Sequence, residues 1–236
     1  ALLLIQTTTA SAITFVEGEE PDPFAEGEVC KVSHIASMGG YVYSWPSKFD
    51  FVFEPWVDNY WFCSVSGYVS YPSDFTGISV IENTRISDFL DSNPANVPDD
   101  GKAQLQYLFD RMEAIYALRD RSPEERAYFL RARAWLYRLD PLADQYRKRA
   151  LVLHMEILET EDLAGFDLIT NLYLVGFYNW KFGNRSDAEA YFSQAEQVKW
   201  KDETGEELTG AEYVNGLIQE VRDGKADDSV RFSRGR

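Results

Sequence analysis

The stretch that decides the fold is Leu172–Lys199, LYLVGFYNWKFGNRSDAEAYFSQAEQVK. Gly183-Asn184 tolerate a left-handed backbone and end its first helix. Ser186-Asp187-Ala188-Glu189 has capping-box spacing and predicts a second helix running to about Lys199. Small residues at Gly176, Ala188 and Ala195 allow the two helices to approach closely, and Phe192 fills the space beside them. The short connector makes the two helices antiparallel neighbours.

The helical period extends upstream. Leu105, Leu108, Phe109, Met112, Ile115 and Leu118 recur at three- and four-residue spacing from Lys102. Ser122-Pro123-Glu124-Glu125 starts the next helix: Ser122 caps, Pro123 suits the first helical position, and Glu125 reaches back to the cap. A third helix follows Pro141 and runs to about Thr160, and a fourth covers about Leu163–Phe182. After the helix ending near Lys199, Thr209–Arg222 reads as the last, and the polar tail 224–236 as frayed. Hairpins of this kind bury their apolar faces only by stacking, so residues 101–223 are expected to form one helical domain.

The front of the chain is different. Residues 41–75 contain Tyr41, Tyr43, Trp45, Phe49, Phe51, Phe53, Trp56, Tyr60, Trp61, Phe62, Tyr68, Tyr71 and Phe75. Phe49–Phe53 alternates as a strand does, and Tyr60–Ser64 and Tyr68–Tyr71 are short strand candidates around Gly67. Residues 29–100 are therefore read as an aromatic-rich β module plus a connector over Thr76–Gly101, in which Ile78–Ile81 and Ile86–Leu90 are pieces able to pack. The fold class expected is α+β, mainly α. Residues 13–28, acidic and carrying Pro21 and Pro23, read as a solvated linker. Ala1–Ile5 is apolar and Ala10-Ser11-Ala12 has the form of a cleavage site, so residues 1–12 are expected to be a signal-peptide remnant. That run falls short of the about 20 apolar residues a membrane span needs. The expected location is periplasmic or extracellular, where an even count of two cysteines, Cys30 and Cys63, is compatible with one disulfide.

Two local patterns resemble known families. With Gly176 as the small residue of the first helix, Gly183, Ala188, Phe192 and Ala195 follow at +7, +12, +16 and +19, and Leu172 precedes them. This spacing resembles the TPR repeat, with Asn179 as its departure, and the upstream helices do not repeat at the TPR period. Cys30-Lys31-Val32-Ser33 and Cys63-Ser64-Val65-Ser66-Gly67 resemble two zinc knuckles whose second cysteines have become serines. A knuckle-bearing segment before TPR-like helices is similar to a bacterial family, the domain of unknown function numbered 2225. That resemblance rests on Phe62–Phe75 and Leu172–Ala195 and carries no activity with it. If the ribbon persists, it implies that Cys30 and Cys63 come from facing knuckles and replace a lost zinc staple by a disulfide. Two free buried cysteines, or a metal site at Cys30, Ser33, Cys63 and Ser66 with His34 as an extra ligand, are the other readings. Two thiolates alone should not hold structural zinc, so no metal and no cofactor is expected.

The net charge of −16 gives the chain no reason to approach nucleic acid or anionic lipid. His34 and His154 are the only histidines, no motif assembles a nucleophilic triad, and Gly39-Gly40 lacks the lysine of a phosphate loop. Glu54 and Asp58, set among aromatics, are the candidates for an acid/base pair. The reading preferred is a non-enzymatic interaction module that binds a peptide or protein through its helical hairpins, with Tyr178, Asn179 and Lys181 as positional candidates. The alternative is an exported carbohydrate-binding or hydrolytic protein that uses Trp45, Trp56 and Trp61 as a stacking platform. Tryptophans exposed in a line would favour the alternative, and buried ones the first.

Overall fold

A computed structural model describes residues 14–37, 43–44, 60–201, 204–224 and 231–232. In chain order the elements are β1 (Thr14–Pro21), β2 (Val29–Ser37), β3 (Tyr43–Ser44), β4 (Trp61–Phe62), β5 (Val69–Ser70), α1 (Val80–Ser92), α2 (Gly101–Tyr116), α3 (Pro123–Leu136), α4 (Leu142–Thr160), α5 (Gly165–Lys181), α6 (Arg185–Gln197), β6 (Lys199–Lys201), β7 (Glu207–Thr209), α7 (Gly210–Arg222) and β8 (Arg231–Phe232). The chain is α+β and mainly α. The strands pair only in twos: β1 with β2, β3 with β8, β4 with β5 and β6 with β7. Two compact units divide the chain, with β1, β2, β4, β5, α1 and α2 in the first and α3–α7 in the second. Strands β3, β6, β7 and β8 also belong to the second.

In the first unit, the segment expected to be an acidic linker is half of a hairpin. β1 runs antiparallel to β2 with Glu20 opposite Cys30 and Gly18 opposite Val32. The Asp22 N–H donates to the Glu28 carbonyl at 2.9 Å, and Gly27 takes a positive φ to close the loop. Ladder bonds come from the backbone, so acidic side chains that stay in water do not oppose them. The expected connector holds another surprise, the 13-residue helix α1. Ser79 Oγ accepts from the Glu82 N–H at 3.2 Å while Glu82 Oε2 accepts from the Ser79 N–H at 2.8 Å. This reciprocal pair satisfies two otherwise orphaned donors. Ile86 and Leu90 are buried as expected, but Val80 and Ile81 stand in solvent. The strand expected over Phe49–Phe53 lies outside the described residues. The two flanking candidates are present as the shorter β4 and β5.

Helix α2, expected to open the helical domain, belongs instead to the first unit, whose second-unit neighbour begins at Arg121. The second unit is a succession in which α3 packs on α4, α4 on α5, α5 on α6, and α6 on α7. Helix α5 is its centre, with every residue from Asn171 to Asn179 buried. It contributes Leu172, Tyr173, Leu174 and Phe177 to a core that also takes Leu153 and Ile157 of α4, Phe192 of α6, and Val214 and Ile218 of α7. Each such side chain removed from water contributes about 1.5–3 kcal/mol. Gly176 is essential to the closest contact: a Cβ there would sit 2.6 Å from the Phe192 ring. Helix α6 starts at Arg185, with Asn184 in the cap position two residues ahead of the expected Ser186, and Asn184 makes no side-chain cap bond. Glu189 is engaged elsewhere, by Arg222 of α7. The tail expected to fray contributes β8, which pairs with β3 through Tyr43–Phe232 and Ser44–Arg231.

Candidate functional site

The chemically distinctive place in the first unit is the junction of β2 with the turn between β4 and β5. Cys30 and Cys63 form a disulfide there, with Cα atoms 4.5 Å apart, and both are buried. The turn is built by backbone bonds. Cys63 N–H donates to the Tyr68 carbonyl at 2.8 Å, and Gly67 N–H donates to the Cys63 carbonyl at 2.7 Å. Gly67 has φ +75°, which favours glycine. Ser66 Oγ accepts from the Tyr68 N–H at 3.1 Å.

Only one of the two expected knuckle segments is a turn. Cys30–Ser33 lies within the extended strand β2. Residues three apart on a strand face opposite sides, so Cys30 and Ser33 cannot converge on one point. The third group that does converge is Asp22, which the acidic-linker reading hid. Its carboxylate is buried, with Oδ1 accepting from the Phe24 N–H at 2.9 Å and Oδ2 from the Ser66 N–H at 3.3 Å. Ligand atoms of Asp22, Cys30 and Cys63 all lie within 4.8 Å of one another. His34 is not among them, and its ring packs against Trp61 at 4.9 Å.

Trp61 is 8% exposed. Its Nε1–H donates to the Ser33 carbonyl at 3.1 Å, and its ring meets Phe75 edge-on at 5.0 Å. It is a core residue of the first unit and no part of an exposed platform. Trp45, Trp56, Glu54 and Asp58 lie outside the described residues.

In the second unit two of the three positional candidates, Tyr178 and Asn179, are buried, and Lys181 is partly exposed. Tyr178 is 0% exposed and Asn179 6%. Asn179 Nδ2 donates to the Val175 carbonyl at 3.0 Å, and its Oδ1 accepts from Asn184 Nδ2 at 3.1 Å, which fastens the α5–α6 turn. Lys181 lies 3.7 Å from the Asp144 carboxylate, which also takes Arg147 at 3.0 Å. Helix α5 is enclosed over Asn171–Asn179, so Tyr178 and Asn179 face neighbouring helices, whereas Lys181 lies beyond that stretch. Arg133 and Arg147 are fully buried, and Arg133 sits over the Tyr146 ring at 4.3 Å. His154 Nδ1 is 2.7 Å from Asn171 Oδ1. Burial lowers the His154 pKa to about 3, the Arg131 charge adds to this, and the Asn171 bond opposes it. A neutral imidazole in that place is a packed group held by one bond.

The second unit presents Leu139, Val152 and Met155 to solvent, and also an aromatic pair. Phe166 at the start of α5 and Tyr213 in the first turn of α7 are each 46% exposed, with ring centroids 5.7 Å apart. Trp200 of β6 joins them at 5.3 Å from Tyr213. Gly165, with φ +55°, lies against the Trp200 ring, where a Cβ would be 3.4 Å away. Phe166 shares the apolar stripe of Ile169 and Tyr173, so periodicity alone would place it inside, and no signal in the sequence marks it as exposed.

This is a mainly helical α+β chain with a disulfide-stapled first unit and a helical second unit. It belongs to the family described as an uncharacterized protein conserved in bacteria (DUF2225), whose family model matches residues 42–211. The matched span includes Cys63 and α1–α6, and excludes Asp22 and Cys30. No curated protein and no solved structure matches the chain. Among the described residues no helix is long and apolar enough to cross a membrane.

Proposed function

We propose that the chain is an exported, non-enzymatic interaction module whose second unit holds a peptide or protein segment. The observation that carries this reading is the exposed Phe166–Tyr213 pair, backed by the partly buried Trp200 and seated at the start of two helices of the stack. Large aromatic side chains lose little conformational entropy on binding and dominate interface energetics. The TPR-like spacing from Leu172 through Ala195 supports the same use of stacked hairpins. The net charge of −16 favours a neutral or basic segment over an acidic one. Export is supported by the Cys30–Cys63 bond, since disulfides persist in oxidising compartments, and by the signal-like pattern of Ala1–Ala12.

The test compares the natural chain with a Phe166→Ala/Tyr213→Ala variant of equal helical circular dichroism. A protein captured from the native compartment is purified and titrated against both. The natural chain is expected to bind it at least tenfold more tightly. Equal binding by the variant, or capture of nothing above background, overturns the proposal.

A further inference from the structure

Breaking the Cys30–Cys63 bond would leave two thiols facing a carboxylate in a closed interior. The three donor groups are held by independent means. Cys30 is fixed by the β1–β2 register, opposite Glu20. Cys63 is fixed by the two backbone bonds that close the β4–β5 turn. Asp22 is fixed by the Phe24 and Ser66 N–H groups. Among the described residues no cation pairs with Asp22, although its carboxylate is buried. A buried charge met only by two N–H donors is costly, and a cation beside it would offset that cost.

We propose that Asp22, Cys30 and Cys63 form a redox-gated site for a divalent ion of the zinc class. A dithiol reductant delivers two electrons and two protons to the sulfurs and is itself oxidised to its disulfide. The two thiols then release their protons to solvent as the ion binds both sulfurs and one Asp22 oxygen, with water as the fourth ligand. Donors around a tetrahedral zinc lie about 3.5–4 Å apart. Once the bond is broken, the two sulfurs must move apart by about 2 Å to reach that spacing, while the Asp22 oxygen, within 4.8 Å of them, closes by about 1 Å. The Ser66 and Phe24 N–H groups orient the carboxylate from behind, as outer groups do in metal sites. Two thiolates and one carboxylate suit Zn2+ or Co2+ better than Mg2+ or Ca2+. The first unit thus has two alternative staples built from one set of side chains: a covalent bond when oxidised and an ion when reduced. Two of the three donors lie outside the residues the family model matches.

The full chain is reduced with a dithiol, desalted without oxygen, and titrated with Co2+. One Co2+ per chain is expected, with a thiolate charge-transfer band that Zn2+ abolishes and that the oxidised chain never shows. Asp22→Asn, which keeps the size and the sulfurs, is expected to retain the band and lose at least tenfold in affinity. A reduced chain that takes up no stoichiometric Co2+, folded or not, overturns the proposal, as does an Asp22→Asn affinity equal to the natural one.

Discussion

Arg111 Nε donates to the carbonyl of Gly67 at 2.6 Å, joining α2 to the turn that carries Cys63. Both residues are buried, and the Arg111 guanidinium also stands over the Phe89 ring at 5.4 Å. Gly67 has no side chain where that guanidinium lies: a Cβ there would fall 2.7 Å from one of its nitrogens. The glycine is therefore required twice, by its φ and by its neighbour. This bond ties the disulfide-bearing turn to a long helix of the same unit.

Arg111→Met should fill much of the same volume and leave the Gly67 carbonyl without its donor. A buried acceptor stripped of a charged donor costs about 1.5–3 kcal/mol. Arg111→Lys should not restore it, because a lysine cannot reproduce the flat donor lying against Gly67. Urea midpoints of the two variants check this, and a lysine variant as stable as the natural chain would contradict it.

The disulfide closes a loop with a sequence separation of 33. In the chain-entropy description such a bond contributes about 3–4 kcal/mol. Reduction in the presence of a chelator, which removes any metal substitute, should destabilise the first unit by about that amount. The second unit carries no cysteine, so its helical core should melt where it did before. A single transition that shifts as a whole on reduction would count against independent units.

Glu82 should set the acid limit of the first unit. The Ser79 N–H holds its carboxylate charged, against the effect of burial. The Asp120 N–H, the Ser79 hydroxyl and Arg119 also favour the charged form, and its pKa falls from 4.5 to about 2. A folded-state pKa below the unfolded one gives stability that is fully present above about pH 4.5 and lost as pH falls toward 2. Glu82→Gln should cost about 1–3 kcal/mol at neutral pH and flatten the stability profile across that window. Chemical denaturation of both chains between pH 5 and about 2.5 reads the difference.

Gly176 offers a test of the α5–α6 hairpin. The Ala188 carbonyl lies at the same contact, and Phe192 is fully enclosed. Gly176→Ala raises helix propensity by about 1 kcal/mol but forces the Phe192 ring to move. Overpacking of this kind costs about 1–3 kcal/mol, so the net change should be zero or destabilising. Adding Phe192→Leu should relieve it, and a double variant no better than the product of the singles would remove the contact as the cause.

How much of this was legible in the sequence depends on which forces shape each part. The helices α3–α7 follow a 3.6-residue apolar period that any buried face imposes, so their order and approximate limits could be read. α1 is hard to read although Ser79-Val80-Ile81-Glu82 has capping-box spacing, because Val80 and Ile81 point to solvent and blur the stripe. β1 escaped notice since its glutamates remain in water on both faces of a two-stranded ribbon, leaving no apolar alternation to find. The pairing of Cys30 with Cys63 came from a resemblance that placed Cys30 in a knuckle, whereas it sits on a strand. Asp22 reaches the sulfurs only through the β1–β2 register and the β4–β5 turn, which are relations in space that local spacing does not encode. Tyr178 and Asn179, chosen by position on the hairpin, are buried, and Lys181 is partly exposed, because position along a helix does not by itself separate a concave face from a core.

His154 supplies the pH test of the second unit. Asn171 Nδ2 donates to the Asp167 carbonyl at 2.9 Å, so its Oδ1 is the atom turned toward the ring. The His154 Nδ1 therefore carries the proton, and the ring is neutral. Its pKa is lowered from 6.5 to about 3, chiefly by burial. The unfolded chain takes up a proton below pH 6.5 that the folded chain refuses. Stability is thus fully present above that pH and falls as pH drops toward 3, by about 1.4 kcal/mol per pH unit once the unfolded imidazole is charged. Few carboxylates titrate between pH 6.5 and 5, and His34 belongs to the first unit. His154→Gln keeps a donor for Asn171 and cannot titrate. Urea midpoints of the second-unit transition at pH 7, 6 and 5 should decline in the natural chain and stay level in the variant, with equal m values. Parallel declines would show that another group governs the slope.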